Sequence, residues 1–125
     1  MSQYDVVISG TGLWTPSQSI TNEELVISFN AYVERYNAEN AAAIEAGELA
    51  PLQGSNAEFI EKASGIKQRY VLDKEGVLDP ARLCPRIPER PDEQISVQAE
   101  MAVKAIHQAL ENAGRSVADV DAILV

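Results

Sequence analysis

Two short apolar runs, one near each end of the chain, most constrain what it can fold into. Asp5-Val6-Val7-Ile8-Ser9 is rich in β-branched residues and does not alternate polar with apolar, and Ala122-Ile123-Leu124-Val125 is apolar throughout. A strand without alternation is covered on both faces, as in a sheet flanked by helices. The 125 residues allow one ordinary domain, and 46% hydrophobic with 23% charged residues is globular composition. Such a chain buries roughly two-thirds of its unfolded surface, enough for one core without metal or disulfide staples. Cys84 is the single cysteine, so it has no internal disulfide partner and makes no zinc site on its own. The N-terminus lacks a basic segment, and no run nears the roughly 20 apolar residues of a membrane span. The expectation is a protein of a reducing cytoplasm that neither enters nor crosses a membrane.

Between the two runs the chain reads as helices and one more strand. Thr21-Asn22-Glu23-Glu24 fits a capping box. Leu25, Val26, Phe29, Tyr32, Val33 and Tyr36 follow as one apolar helical stripe. Ala41–Ala46 continues that helix or forms a second piece before Gly47. A second capping box, Ser55-Asn56-Ala57-Glu58, opens a short helix with Phe59, Ile60 and Ala63, and Gly65 is placed to end it left-handed. Residues 66–72 read as a strand. Residues 73–91, with prolines at 80, 85, 88 and 91, read as a long loop. Residues 96–113 predict a strong helix capped by Gly114, with Ala99, Ala102, Val103, Ile106, Leu110 and Ala113 buried, and Glu100, Lys104, His107 and Glu111 opposite. The resulting pattern supplies about three strands for one sheet and stops on an apolar strand. Termini normally end on polar surface residues, so the expectation is the N-terminal part of a larger α/β protein.

Charge is unevenly spread. The net charge of −9 disfavours nucleic acid as a partner. Residues 1–61 hold nine acids and one base, and residues 91–125 hold six acids and two bases. Residues 62–90 hold seven bases (Lys62, Lys67, Arg69, Lys74, Arg82, Arg86 and Arg90) against four acids. That island suits a phosphate or an acidic partner, and equally an ordinary solvated loop.

No catalytic set is legible. Gly10-Thr11-Gly12 follows the first strand, but a dinucleotide fingerprint needs glycine where Thr15 stands and an immediate helix where Pro16 stands. A tight turn explains both glycines. Cys84 sits between Leu83 and Pro85 with no helix start after it, which argues against a nucleophile despite Arg82 and Arg86 nearby. His107, the one histidine, lies on a charged helical stripe and reads as solvated. No metal site is expected.

The order Ile8-Ser9-Gly10-Thr11-Gly12-Leu13-Trp14-Thr15-Pro16, Thr21-Asn22-Glu23-Glu24-Leu25, Phe59-Ile60 and Ser64-Gly65-Ile66-Lys67-Gln68-Arg69 resembles the N-terminal third of a β-ketoacyl-[acyl-carrier-protein] synthase III. The close, Ala102 to Gly114 and then Asp119-Val120-Asp121 into Ala122–Val125, fits the same family of thiolase-fold condensing enzymes. Each fragment is weak alone; their joint order is specific. The resemblance implies an αβαβα-layered fold, of which this chain would be part of the first half, and a homodimer. It implies decarboxylative condensation of an acyl group from acyl-CoA with malonyl-acyl carrier protein in fatty acid biosynthesis. No permanently bound cofactor is implied; the coenzyme A thioester is a substrate. The Cys-His-Asn set of the family would lie beyond Val125, leaving these 125 residues inactive alone.

What the resemblance carries onto this chain is part of the coenzyme A entrance. Phe59 stands where the family usually has a tryptophan that stacks on adenine, and Ser64 matches a hydroxyl residue beside the nucleotide. Ala63 replaces a common arginine, so Lys62, Lys67 or Arg69 would have to substitute. Phe59 and Ala63, four apart on a helix, fit a core-packing role as well. Two stretches are longer than the family norm: an insert at about 30–55 and an extended loop at about 73–93. Because acyl carrier proteins are acidic, Arg69, Arg82, Arg86 and Arg90 are docking candidates. Alternatives are a polyketide-type or hydroxymethylglutaryl-CoA-synthase-like condensation, and a non-enzymatic acidic α/β binding module.

Overall fold

The computed structural model describes residues 5–124, so Val125 of the expected closing strand lies outside it. The chain divides into two compact units, Pro16–Pro88, and Met1–Thr15 with Glu89–Val125. The architecture is mixed α/β, with five helices and a two-stranded sheet among the described residues.

The unit Pro16–Pro88 is built on a strand the sequence does not announce. The capping box at Thr21 gives no sign of a strand before it, yet β1 (Gln18–Thr21) runs directly into it and pairs antiparallel with β2 (Gln68–Val71). The register sets Ile20 opposite Arg69, and Ile20 is fully buried. Helix α1 (Asn22–Glu39) starts on the expected capping box, in which Thr21 Oγ1 accepts from Glu24 N and Glu24 Oε2 accepts from Thr21 N. Its core side holds Val33 and also buried Asn22 and Ser28, each engaged by hydrogen bonds. Ser28 Oγ donates to Leu78 O at 2.6 Å, which ties α1 to a helix inside the expected loop, α4 (Lys74–Leu78). That loop prediction is thus corrected in its first part: Asp73 caps α4 by accepting from Gly76 N.

After α1 come α2 (Ala41–Glu45) and a return held by two asparagines seven residues apart on α1. Asn37 donates to Leu52 O and accepts from Leu52 N, both at 2.9 Å. Asn30 does the same for Ser55, at 2.9 and 2.8 Å. Each amide copies the two-way bonding of a neighbouring strand. Because the Ser55 backbone is occupied in this way, the cap of α3 (Ala57–Ser64) falls one residue later than the sequence suggests. Asn56 caps it, accepting from Phe59 N at 2.7 Å, and Gly65 ends it at φ 72°.

In the other unit, the strand expected at residues 5–9 carries no β-ladder. Val6, Val7 and Ile8 are 96%, 75% and 88% exposed, where burial on both faces was expected. A strand exists only by pairing, and no described segment lies beside this one to accept its hydrogen bonds. Residues 122–124 are likewise unpaired, with Ile123 and Leu124 exposed.

Helix α5 (Val97–Ala113) runs from a Ser96 cap to left-handed Gly114, as expected. Its covered face is shifted, however: Ala102 and Val103 are exposed. Residues 10–14 lie along the stripe Ala105, Ala109 and Ala113 instead. Gln108 Oε1 accepts from Leu13 N at 2.6 Å, Asn112 Nδ2 donates to Thr11 O at 2.8 Å, and Lys104 Nζ sits 4.6 Å from the Trp14 ring centroid. The two glycines serve this approach rather than a tight turn, since neither has positive φ. A Cβ on Gly10 would meet Ala113 Cβ at 2.8 Å, and one on Gly12 would meet Ala109 N at 2.6 Å. Gly12→Ala is therefore expected to destabilise this unit by about 1–3 kcal/mol through overpacking. A thermal melt followed by Trp14 emission should show an earlier transition, while far-UV signal from the other unit's helices changes little.

Candidate functional site

Helix α3 presents the residues that the resemblance selects. It is fixed at both ends, by the Asn56 cap and by Gly65, whose N–H donates to Glu61 O at 2.7 Å. Ile60 turns inward, whereas Phe59 is 62% exposed and Ala63 is exposed. Neither of the latter two serves a core. Lys62, one turn after Phe59, is also exposed, so a bare aromatic face and a cation share one side of the helix.

Ser64 and Arg69 are engaged elsewhere. Ser64 Oγ donates to Ile60 O at 2.7 Å and accepts from Ile66 N at 3.2 Å, so the hydroxyl closes the end of the helix. Arg69 is half-buried on β2, and its Nη2 donates to Asn22 Oδ1 at 3.0 Å. Its Nη1 is buried with no hydrogen-bond partner among the described residues. Lys67 forms an exposed ion pair with Glu61 at 3.3 Å. The structure thus brings Phe59, Lys62 and Ser64 together on one short helix and places Arg69 under the start of α1.

The basic loop is more ordered than its prolines suggest. Asp79 O accepts from Arg82 N and Leu83 N, and Gly76 O accepts from Cys84 N. Asp73 accepts from Gly76 N with one carboxylate oxygen and from Arg86 N with the other. These two backbone donors, first Gly76 and then Arg86, hold the Asp73 carboxyl below its ordinary pKa, with a smaller contribution from the charges of Arg82 and Arg86. Arg82 and Arg86 are exposed, whereas Arg90 pairs with Glu100 at 2.6 Å. Cys84 is exposed, with Arg82 Nη2 3.9 Å from its sulfur, and His107 is exposed on α5. Among the described residues, no group of three His, Cys, Asp or Glu side chains converges as metal ligands. Among the same residues, no helix is long and apolar enough to cross a membrane.

The chain is 53% identical over 98 residues to a β-ketodecanoyl-[acyl-carrier-protein] synthase of Pseudomonas aeruginosa. The resemblance read from the sequence is borne out. The matched stretch is 78% of this chain but 28% of that synthase, so the chain spans under a third of its relative's length. No family model matches the chain.

The Asp73 clamp had one signal in the sequence, an aspartate three residues before a glycine, and nothing there pointed to Arg86. Asp73→Asn keeps a capping oxygen for Gly76 but replaces the second acceptor by a donor. Tryptic cleavage at Arg82 and Arg86 is then expected to accelerate several-fold at neutral pH. Acid should act in the same direction. A carboxyl whose folded pKa lies below the unfolded value of about 3.9 stabilises fully above that value, and the contribution is lost as pH falls through the folded pKa. The amide resonance of Arg86 should therefore move in the acid limb below about pH 4, and should not move in that limb in Asp73→Asn.

Proposed function

We propose that this chain forms the coenzyme A entrance of a β-ketoacyl-[acyl-carrier-protein] synthase of type III chemistry, acting on medium-chain acyl groups in fatty acid biosynthesis. The observation that carries this reading is the 53% identity to a synthase whose name specifies a ten-carbon β-ketoacyl product on acyl carrier protein. The exposed ring of Phe59 supports a stacking role toward adenine, and Lys62 beside it supports charge pairing with a nucleotide phosphate. Ser64 and Arg69 contribute by position: one closes α3, the other anchors β2 beneath α1.

In the proposed reaction a cysteine thiolate attacks the acyl-CoA carbonyl, the C–S bond to coenzyme A breaks, and coenzyme A leaves as its thiol. Malonyl-acyl carrier protein then loses carbon dioxide, and its carbanion attacks the acyl-cysteine thioester. The new C–C bond gives β-ketoacyl-acyl carrier protein and returns the thiolate. This chemistry belongs, in the same reading, to residues beyond Val125, which leaves the 125-residue chain inactive by itself. A homodimer with αβαβα layering in the cytoplasm completes the proposal. The exposed Val6, Val7, Ile8, Ile123 and Leu124 support the layering, since a central sheet is where such side chains are covered.

Acyl carrier protein is the proposed partner at the basic loop. Arg82 and Arg86 are exposed on a clamped backbone, while Arg69 and Arg90 are already engaged.

The test is to express the reading frame continued past Val125. It should encode a cysteine after a strand, at a helix start, and the product should release coenzyme A from acyl-CoA in the presence of malonyl-acyl carrier protein. A continuation without that cysteine, or without condensation, overturns the proposal. In the active protein, Phe59→Ala should raise KM for acyl-CoA about tenfold, the scale of one lost base–aromatic stack. Charge reversal at Arg82 and Arg86 should weaken carrier-protein affinity, with a shallower salt dependence than the parent shows.

A further inference from the structure

Helix α3 carries Phe59 and Lys62, yet packing alone does not hold it in place. Between α1 and α3 lies a gap of about 250 Å³, lined by Leu25, Val26 and Phe29 of α1 and by Ile60 of α3. Side chains beside a gap forfeit contacts on that side, so they oppose a shift of the helix only weakly. The ends of α3 are held instead. Ser55, one residue before the Asn56 cap, donates to Asn30 Oδ1 at 2.8 Å and accepts from Asn30 Nδ2 at 2.9 Å. Ile66, one residue after Gly65, accepts from Asn22 Nδ2 at 2.6 Å, and Lys67 O accepts from the Asn22 backbone.

We propose that Asn22 and Asn30 are positioning residues for nucleotide recognition. Acting through the two ends of α3, they fix where the Phe59 ring and the Lys62 ammonium meet the adenine nucleotide of coenzyme A. The inference rests on the reading of α3 as part of the coenzyme A entrance, and neither asparagine contacts the ligand.

The spacing suits the task. The two asparagines stand eight residues apart on α1, about 12 Å, and α3 with its eight residues is about 12 Å long. The start of α1 meets the end of α3, and the third turn of α1 meets its start, so one helix is a splint along the other. A carboxamide donates and accepts at once without carrying charge, which lets Asn30 hold both backbone groups of one residue. Stacking and charge pairing depend on alignment, and a displacement of about 1 Å is enough to spoil an aligned contact.

Arg69 makes the two tasks of Asn22, joining β2 to α1 and aiming α3, separable. Arg69 Nη2 donates to Asn22 Oδ1 at 3.0 Å, while Nη1 is buried without a partner among the described residues. Asn22→Asp offers the guanidinium a carboxylate with two accepting oxygens, a charge-assisted pair that maintains the junction. The same carboxylate has no proton to donate to Ile66 O, so the end of α3 is released.

The experiment uses the protein expressed from the reading frame continued past Val125, with octanoyl-CoA and with S-octanoyl-pantetheine, which lacks the nucleotide. Asn22→Asp should melt no earlier than the parent. It should raise KM for octanoyl-CoA about three- to tenfold, the upper bound being one whole base–aromatic stack, with kcat unchanged. KM for S-octanoyl-pantetheine should stay where it was. Asn30→Asp keeps the acceptor for Ser55 N and loses the donor to Ser55 O, so it should act alike from the other end. In a Phe59→Ala background either substitution should change KM by less than about twofold, because residues acting through one contact do not add. Equal losses with both thioesters, a fall in kcat, or effects additive with Phe59→Ala would each overturn the assignment. A tenfold effect of Phe59→Ala beside an unchanged KM in both asparagine variants refutes this inference alone. No effect of Phe59→Ala refutes the entrance reading and this inference with it. If the protein binds coenzyme A without condensing, the enzyme reading fails, and dissociation constants for coenzyme A and pantetheine decide the positioning roles by the same comparison.

Discussion

The buried amide of Asn22 holds the unit Pro16–Pro88 in register. Its side-chain nitrogen donates to Ile66 O at 2.6 Å, its side-chain oxygen accepts from Arg69 Nη2, and its backbone N–H donates to Lys67 O at 3.2 Å. One residue, 2% exposed, thereby joins the first turn of α1 to the approach of β2. An amide buried without these partners would cost about 1–3 kcal/mol, so alternative pairings of β1 with β2 are penalised twice. They would strand Asn22, and a one-residue slip would turn Ile20 out of the core. The end of α3 at Gly65 and the placement of Phe59 both descend from that fixed junction.

Helices were legible where local chemistry decides them. Thr21 and Glu24 signal α1, Gly65 and Gly114 mark two helix ends, and Ser96 with the alanine-rich run marks α5. Strands were not, because a strand is defined by what lies beside it. Asp5–Ser9 has the composition of a strand and lacks a neighbour among the described residues. Gln18–Thr21 has weak strand composition and acquires a neighbour in β2. The N-cap of α3 shifted for a similar reason: a distant asparagine had already claimed the Ser55 backbone. Glycines 10 and 12 were visible as special, but their cause, an alanine-lined helix flank far along the chain, is tertiary.

The candidate site divides along the same line. Phe59 and Lys62 are named by their order in the sequence, and the structure gives them a common exposed face. The roles of Ser64 and Arg69 are set by bonds to Ile60 and Asn22 that spacing does not disclose.

The paired asparagine brackets on α1 bear on how such a protein can diverge. Because Asn30 and Asn37 grip the returning chain at Ser55 and Leu52, the residues between α1 and Leu52 hang outside the part that sets the cap of α3. Gly47, at φ 75° with open space for 4 Å around the place a Cβ would take, sits at the outer bend of that excursion. The excursion is therefore a tolerant appendix. Lineages could lengthen or trim it, and an experimenter could graft a reporter peptide there, without disturbing the Asn56 cap or the exposed face of α3.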